Sequence, residues 1–334
     1  MIKSLLNSLK KGDALNANDI KNVFDEMLDG KYAEHEIADF LVYLAKKGET
    51  AEEIAMAAQS LRGYADSFDT GMKLLDTCGT GGDKKSTFNI STAAAIVCSL
   101  FVPVAKHGNK AVSSKSGSAD VLESLGAEIN LKKQKAYEYL RENNFVFLFA
   151  PNYHPAMRFV AGVRKKLGIR TIFNLLGPLC NPFNPSYQTI GVFSKSVLET
   201  MFEASKLLSM DNVIFLASND GLDEISISDI TICYERNGSK EDKFEFDPRE
   251  MGIYADISAI RGYDATTNAR LMIEVFENKH EDLKNAVAIN AAFALKSAGV
   301  EDNIKDAFAL AYESIEQKRA LEKLKSLQGG NDAS

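Results

Sequence analysis

One stretch of the sequence contains two loops with the residue types that bind phosphate groups. Residues 78–83 include three glycines in six positions, and residues 86–92 are rich in hydroxyl and amide side chains. A second loop begins at Lys106 and also contains Lys110 and Lys115. Glycines expose backbone N–H groups, helix N-termini carry a positive partial charge, and lysines and hydroxyls add donors. The stretch therefore predicts an anion site.

Two common nucleotide-binding patterns do not account for these loops. The sequence has no G-x-x-x-x-G-K-[ST], and the first loop does not satisfy G-x-G-x-x-G. In the simplest alternative the glycines form a tight turn and the Ser and Thr residues cap helices. The occurrence of two such loops in tandem, each followed by a helix pattern and the second carrying lysines, favours the anion site.

Other residues add acidic, basic and imidazole groups. Asp223 and Glu224 follow a glycine turn, and adjacent carboxylates suit Mg²⁺, which completes its shell with water and phosphate oxygens. A solvated acidic turn is the alternative. Arg164 has a guanidinium that suits a carboxylate, although taken alone, next to Lys165 and Lys166, it fits a solvated helix end better. His107 and His154 can orient a nucleophile or accept a proton, or be structural.

The elements that position these residues fall into two groups. Residues 1–66 show only helical periodicity, in four short stripes, and Thr50 with Glu53 forms a capping-box pair. After a hinge at 67–73, strands alternate with helices over residues 74–328. This order predicts a small N-terminal helical bundle, completed by helices within about 155–180, hinged to a large α/β domain. Residues 329–334 are expected to be a flexible tail.

The large domain is predicted to contain a mostly parallel sheet covered by helices. We expect strands at 74–75, 102–105, 145–150, 189–193 and 213–217, and further strands with a charged hairpin within 231–249. We expect helices at 119–125, 267–276, 282–297 and 302–327, and a further helix that follows Arg158 and ends at Leu167. The polar motifs follow the strands, at the carboxyl ends where ligands bind in open α/β sheets.

Composition narrows the possible functions. The 39 basic and 46 acidic residues give a net charge of −7, which argues against nucleic-acid or anionic-membrane binding and makes any anion site local. The four cysteines are scattered, as in a reduced cytosolic protein. Neither a signal peptide nor a membrane-spanning apolar run is recognisable, so a cytoplasmic location is expected.

Residues 76–83, 89–92 and 106–109 closely resemble the signature of the anthranilate phosphoribosyltransferases, and the resemblance covers nearly the whole chain. That family couples anthranilate to 5-phosphoribosyl-1-pyrophosphate (PRPP) in tryptophan biosynthesis. The resemblance implies a homodimer formed through the helical domain and two Mg²⁺ ions, one of them bound with PRPP. Cys180 stands where threonine is usual, and a glycine often found near Glu277 is lacking. Neither departure touches the predicted site.

The resemblance also implies a role for each matched position. The metal-binding positions are Ser91, Asp223 and Glu224, and the anthranilate-binding positions are Gly79, Asn109 and Arg164. His107 and His154 are placed near the anthranilate channel. The PRPP-binding positions are Gly79, Gly82, Asp83, Thr87, Asn89, Ile90, Ser91, Thr92, Lys106, His107, Gly108, Asn109, Lys110, Ala111, Val112, Ser113, Ser114 and Ser118.

The expected reaction is a displacement at ribose C1, in which the amine of anthranilate replaces pyrophosphate with inversion through an oxocarbenium-like transition state. Catalysis would rest on orientation and preorganised charge, with closure of the helical domain limiting hydrolysis of PRPP. Two alternatives remain. A pyrimidine nucleoside phosphorylase shares the architecture but has a different first loop, and a nucleic-acid-binding relative would need a basic surface.

Overall fold

The computed structural model describes residues 2–81, 85–111 and 115–328. None of the helices in these ranges has the length and apolar character that crossing a membrane requires. Within the same ranges, a helical bundle is followed by one sheet with helices on both faces. This architecture confirms the predicted fold class.

Helices and strands are numbered in chain order. The helices are α1 (Ile2–Lys11), α2 (Ala17–Leu28), α3 (Glu34–Lys47), α4 (Ala51–Gly63), α5 (Ile90–Cys98), α6 (Ser118–Ser124), α7 (Lys133–Asn143), α8 (Ala150–Tyr153), α9 (Arg158–Leu167), α10 (Ile172–Leu176), α11 (Lys195–Leu207), α12 (Ala265–Phe276), α13 (Glu281–Ser297), α14 (Ile304–Glu316) and α15 (Arg319–Leu327). The strands are β1 (Leu75–Gly79), β2 (Val104–Gly108), β3 (Phe145–Phe149), β4 (Tyr187–Gly191), β5 (Asn212–Ser218), β6 (Thr231–Asn237) and β7 (Lys240–Phe246).

The bundle helices form where apolar residues recur at helical spacing and polar side chains close the ends. Thr50 Oγ1 accepts the Glu53 N–H at 3.2 Å at the start of α4, which completes the predicted capping box. The buried Glu53 carboxylate also accepts the Leu15 N–H at 2.9 Å and pairs with Lys47 at 2.7 Å. One side chain thus links α4 to the segment before α2 and to the end of α3.

The four bundle helices do not bury their apolar stripes against one another alone. They form one buried cluster with α9, α10, α11 and residues of β4 and β5, and α4 packs on α11 while α9 packs on α2 and α3. Phe24, for example, lies 5.6 Å from Phe173 of α10, measured between ring centroids. The bundle is therefore anchored to one face of the sheet by shared apolar core. On the other face, α5 and α13 form the largest cluster.

The strand order is β3-β2-β1-β4-β5-β6-β7. The pairs from β3 to β5 are parallel, whereas β6 and β7 continue the sheet antiparallel as a charged hairpin. From β1 the chain first builds outward to β3 and then returns to place β4 on the other side of β1. The crevice between the carboxyl ends of β1 and β4 is thus the topological switch point, where ligands bind in such sheets.

The predicted ends of β1 and β2 were wrong because polar residues were taken to end them. β1 continues through Asp76 to Gly79, and β2 continues through Lys106 to Gly108. Both positions are buried with partners: Asp76 accepts from the Asn181 amide at 2.9 Å, and Lys106 donates to the Thr77 carbonyl. β3 ends one residue early, at Phe149, and β4 starts and ends two residues early, at Tyr187 and Gly191.

The helix predictions also need correction. The single helix expected at 302–327 is two, α14 and α15, separated at Lys318, whose φ of 61° is left-handed. The helix expected at 119–125 spans Ser118–Ser124. α7 and α11 were not assigned from the sequence. The tail at 329–334 lies outside the described residues.

Candidate active site

Two glycines allow the chain to close tightly at the switch point. Gly79 and Gly191 are register partners at the ends of β1 and β4. A Cβ atom on Gly191 would lie 1.6 Å from the carbonyl oxygen of Asp223, and one on Gly79 would lie 2.4 Å from its Oδ2. Any larger residue would therefore displace Asp223, so the glycines hold the acidic segment over the strand ends.

Both acidic side chains point back to the first glycine loop and the start of α5. Asp223 Oδ2 accepts the Gly81 N–H at 2.7 Å, and Glu224 Oε1 accepts the Ser91 N–H at 3.1 Å. The carboxylates thus occupy backbone donors of the kind that bind phosphate oxygens. Residues that are far apart in the sequence thus meet at the carboxyl ends of β1 and β4.

A small cavity of about 20 Å³ lies among these groups, with Thr77, Ser91, Asp223, Glu224 and Asn290 in its walls. That volume holds one water molecule or one small ion. Two carboxylates and a hydroxyl are hard oxygen donors, which fit Mg²⁺. Within the described residues no group of three or more His, Cys, Asp or Glu side chains is arranged to hold a metal ion, so a cation here would need water or substrate oxygens as further ligands.

Lys106 brings a buried positive charge to the same place. Its side chain is almost fully buried, and Nζ donates to the Thr77 carbonyl and, at 3.4 Å, to Ser91 Oγ. Burial lowers the pKa of Lys106, and the nearby Asp76 carboxylate opposes that effect. Lys106 was expected to end its strand. It lies inside β2 instead, with its ammonium beside the hydroxyl of Ser91.

The start of α5 is fixed by amide side chains. Asn89 Oδ1 accepts from the Asn268 amide at 2.8 Å, and Asn89 Nδ2 donates to the Ser116 carbonyl at 3.3 Å. Asn89 makes no side-chain cap bond to its own helix. Ile90 and Thr92 are buried in the first turn, and Thr87 forms a bridge with Arg261.

The second loop folds around an acidic side chain. Asp120 Oδ2 accepts the N–H groups of Ala111 at 2.7 Å and Gly117 at 2.8 Å. Ser118 Oγ donates to the Asn109 carbonyl at 3.4 Å. The exposed Lys110 pairs with Glu123 at 2.8 Å, so its ammonium is directed to that carboxylate. The predicted PRPP-binding positions that lie outside the described residues are Gly82, Asp83, Val112, Ser113 and Ser114.

The two predicted histidines lie together. His107 and His154 have ring centroids 5.1 Å apart, in β2 and after α8. Burial lowers the pKa of His107 to about 3, with a smaller contribution from His154, and burial lowers the pKa of His154 to about 4. Both rings are neutral at physiological pH, and groups with such low pKa values are weak proton acceptors.

Arg164 lies on α9, which packs on the bundle, and its guanidinium carbon is 5.2 Å from the ring centroid of Phe173. Burial lowers the pKa of Arg164. Among the residues described, no carboxylate forms an ion pair with it, and a partly desolvated arginine without an anion is suited to bind one.

Sequence reasoning missed residues that support the acidic segment. Asn290 on α13 accepts the Ile225 N–H and donates to the Ile225 carbonyl, both at 2.9 Å, and so fixes the residue after Glu224. The available signal was an asparagine inside a buried, alanine-rich helix, where an amide requires partners. Gly191 and Asn268 gave no comparable signal.

The fold and the site together define a class. Residues 3–65 match the model of the glycosyl transferase family, helical bundle domain, and residues 71–321 match that of the glycosyl transferase family, a/b domain. The chain is 42% identical over 330 residues to an anthranilate phosphoribosyltransferase of Caldicellulosiruptor saccharolyticus, covering 98% of each chain. The chain belongs to the anthranilate phosphoribosyltransferase family, which confirms the resemblance found in the sequence.

Solved structures of anthranilate phosphoribosyltransferases share the fold of this chain. The crystal structure of anthranilate phosphoribosyltransferase from Thermus thermophilus matches with a TM-score of 0.89 and 35% identity over 97% of this chain and 98% of that one. The Saccharomyces cerevisiae enzyme in complex with PRPP and Mg matches with a TM-score of 0.87 and 28% identity, over 98% of this chain and 96% of that one. The same yeast enzyme in complex with 4-fluoroanthranilate matches with a TM-score of 0.84 and 27% identity over 98% of each chain.

Proposed function

We propose that this protein transfers the 5-phosphoribosyl group of PRPP to the amine of anthranilate, in tryptophan biosynthesis. The amine nitrogen forms a bond to ribose C1, the bond from C1 to the pyrophosphate oxygen breaks, and one amine proton is lost. The products are N-(5-phosphoribosyl)anthranilate and pyrophosphate.

One observation carries the proposal: Asp223 and Glu224 meet the Gly81 and Ser91 N–H groups at the switch point of the sheet. An anion-binding loop, a helix N-terminus and an acidic pair are the three parts needed to bind a metal-complexed pyrophosphate. These parts come from β1, α5 and the segment after β5, so their meeting depends on the fold.

The residues of the chain act mainly by orientation and charge. Phosphate oxygens of PRPP would replace the Asp223 and Glu224 carboxylates at the N–H groups of the first loop and of the α5 start. Lys106 adds a positive charge beside Ser91, and Asn290 holds the acidic segment in place. Ser91, Asp223 and Glu224 would hold Mg²⁺, whose positive charge stabilises the pyrophosphate as it leaves. Two such ions, one of them arriving with PRPP, are part of the proposal.

The acceptor side of the site is assigned to Arg164, Asn109 and Gly79. The guanidinium of Arg164 would bind the carboxylate of anthranilate, and the aromatic ring of Phe173 below it restricts its orientation. His107 and His154 would contact the acceptor as neutral rings, because their low pKa values suit hydrogen bonding better than proton transfer.

The proposal extends to assembly and location. A homodimer through the N-terminal helical domain is supported by the family resemblance and by Phe159 and Ile169, apolar side chains on and after α9 that are 36% and 51% exposed. Light scattering on the purified chain should give twice the monomer mass. A cytoplasmic location accords with the absence of disulfides among the described cysteines.

The test is to mix the protein with PRPP, Mg²⁺ and anthranilate and to follow the loss of anthranilate fluorescence. We expect turnover that requires all three and stops when EDTA is added. Absence of turnover with folded protein would overturn the proposal, and phosphorolysis and DNA-binding assays would then separate the two alternatives.

A further inference from the structure

A second cavity opens at the other ends of the same strands. It has a volume of about 430 Å³ and lies at the amino ends of β4 and β5. Binding sites for small molecules have volumes of about 300–1,000 Å³ and often lie between domains. The residues in its wall that matter here are Arg62, Lys73, Asn184, Tyr187, Met210 and Asp211. We call this cavity the amino-end cleft.

The amino-end cleft is separate from the proposed active site. β1 and β4 each span five residues, and a strand rises about 3.3 Å per residue, so the two ends are about 13 Å apart along the strand. None of the residues around the small cavity at the switch point also lines the cleft. A ligand in the cleft would therefore leave the substrate groups untouched.

Two cations in the cleft have no acidic partner in the described part of the chain. Among the described residues neither Arg62 nor Lys73 forms an ion pair, and the hydrogen bond of Arg62 runs from Nε to the Leu179 carbonyl at 2.6 Å. Burial lowers the pKa of Arg62, and no carboxylate counteracts it. The exposed Asp211 offsets one of the two charges at the mouth, which leaves the cleft with a net positive charge. A half-buried guanidinium in this setting is stabilised by an anion.

The walls of the cleft are fixed by contacts that need no ligand. The Tyr187 N–H donates to the Leu74 carbonyl at 3.0 Å, Gln188 Nε2 donates to the Pro178 carbonyl at 3.0 Å, and Arg236 Nη1 donates to the Met210 carbonyl at 3.0 Å. The cleft is thus preformed, which reduces the ordering cost of binding. Leu208 and Met210 add apolar surface beside the cations.

We propose that the amino-end cleft binds a small organic anion, with a carboxylate or phosphate group held by Arg62 and Lys73 and an apolar part against Tyr187, Leu208 and Met210. Arg62 lies in the last turn of α4 of the bundle, Lys73 precedes β1, and the other walls belong to the α/β domain. The bound anion therefore bridges the two domains.

The experiment uses the full chain and three probes that share a phenyl ring: benzoate, phenyl phosphate and neutral benzamide. Calorimetry and thermal unfolding are measured without PRPP or Mg²⁺. We expect at least one anion to bind and to raise the melting temperature, because a ligand of the folded state stabilises it, whereas benzamide does neither. The stronger of benzoate and phenyl phosphate identifies the preferred anionic group.

Variants locate the binding. Arg62→Gln should weaken the affinity for the anion at least tenfold and Lys73→Gln several-fold, whereas Arg164→Gln, on α9 and outside the cleft wall, should leave it unchanged. Failure of both anions to bind would overturn the proposal, as would loss of binding in Arg164→Gln with Arg62→Gln unaffected. If Arg62→Gln does not fold, a crystal soaked with the tighter probe decides: density beside Arg62 and Lys73 supports the proposal, and an empty cleft refutes it.

Discussion

At their carboxyl ends β1 and β4 are packed against the Asp223 segment, whereas at their amino ends they border an open cleft. The carboxyl end holds a cavity of about 20 Å³ and the amino end one of about 430 Å³. At the first, Asp223 and Glu224 are hydrogen-bonded to backbone N–H groups. At the second, Arg62 and Lys73 have no acidic partner among the described residues.

The two ends of the strands therefore suit two different kinds of site. At the carboxyl end, charges of both signs are held close together in fixed positions, as electrostatic catalysis requires. At the amino end, a preformed space carries a net positive charge, which suits binding without chemistry. Substitutions at the carboxyl end should therefore reduce turnover, whereas substitutions of the same kind at the amino end should leave it unchanged.

The largest effect is expected from the double substitution Asp223→Asn and Glu224→Gln. It removes the charges that would hold Mg²⁺, and metal stabilisation contributes several kcal/mol, so kcat/KM should fall by about 10³-fold or more. The amide oxygens can still accept the Gly81 and Ser91 N–H groups, so the melting temperature should change little.

Asp211→Asn is the matched control for that experiment, because it removes an acid at the opposite end of the sheet. It should leave kcat/KM unchanged. Normal turnover in the double variant would show that the acidic pair does not hold the metal, and equal losses in both variants would remove the distinction between the two ends.

The second effect tests the close backbone contact. In Gly191→Ala the new methyl group would lie 1.6 Å from the Asp223 carbonyl oxygen, so the acidic segment must move. We expect a loss of about 1–3 kcal/mol in the free energy of unfolding and about 10²-fold in kcat/KM, the effect of misplacing catalytic groups by about 1 Å.

Gly63→Ala provides the contrast for this substitution. Gly63 ends α4 beside Arg62, and a Cβ atom there would meet nothing within 4 Å. Denaturant unfolding should show unchanged or higher stability, since alanine favours helix, and turnover should be preserved. If Gly191→Ala behaves like Gly63→Ala, the packing at the switch point is looser than these distances indicate.

Two half-buried arginines, Arg164 on α9 and Arg62 on α4, should differ in a smaller effect. Arg164→Gln should raise KM for anthranilate about 10- to 100-fold, because a charge-assisted hydrogen bond to a carboxylate contributes about 1.5–3 kcal/mol. KM for PRPP should change much less. Arg62→Gln, the same substitution in the amino-end cleft, should leave KM for anthranilate unchanged; a rise there instead would exchange the roles of the two arginines.

The sequence predicted much of the carboxyl end and nothing of the amino-end cleft. Glycine loops, acidic turns and lysines are local patterns, and the strand order of an α/β fold brings such loops to one edge. The cleft is assembled from the end of α4, the segment before β1 and two loops, and none of these segments has an unusual composition. Its existence depends on tertiary packing alone.

The errors in the elements have a similar cause. Asp76 and Lys106 read as strand ends because buried polar residues are uncommon, yet here each has partners inside the sheet. The break before α15 falls at Lys318, among residues with good helix propensity and without Gly or Pro, so no local signal marks it. Only the packing of α14 and α15 determines it.

The smallest effect concerns the pH dependence of stability at the carboxyl end. Burial lowers the pKa of His154 to about 4, below its ordinary value of 6.5. As pH falls below 6.5 the unfolded chain therefore binds a proton before the folded one does, and stability is lost between pH 6.5 and 4. From pH 7.5 to 5.5 this single group should cost about 1 kcal/mol.

His154→Gln should remove that part of the acid sensitivity, measured as the difference in the free energy of unfolding between pH 7.5 and 5.5. The control is His35→Gln, since His35 is exposed on the bundle, and its pH difference should match that of the unsubstituted chain. Because His154 follows the carboxyl end of β3, a bound acceptor with a negative charge would stabilise the protonated ring. Anthranilate at saturating concentration should then reduce the pH difference of the unsubstituted chain and leave that of His154→Gln unaffected; an equal response in both would show that the acceptor lies elsewhere.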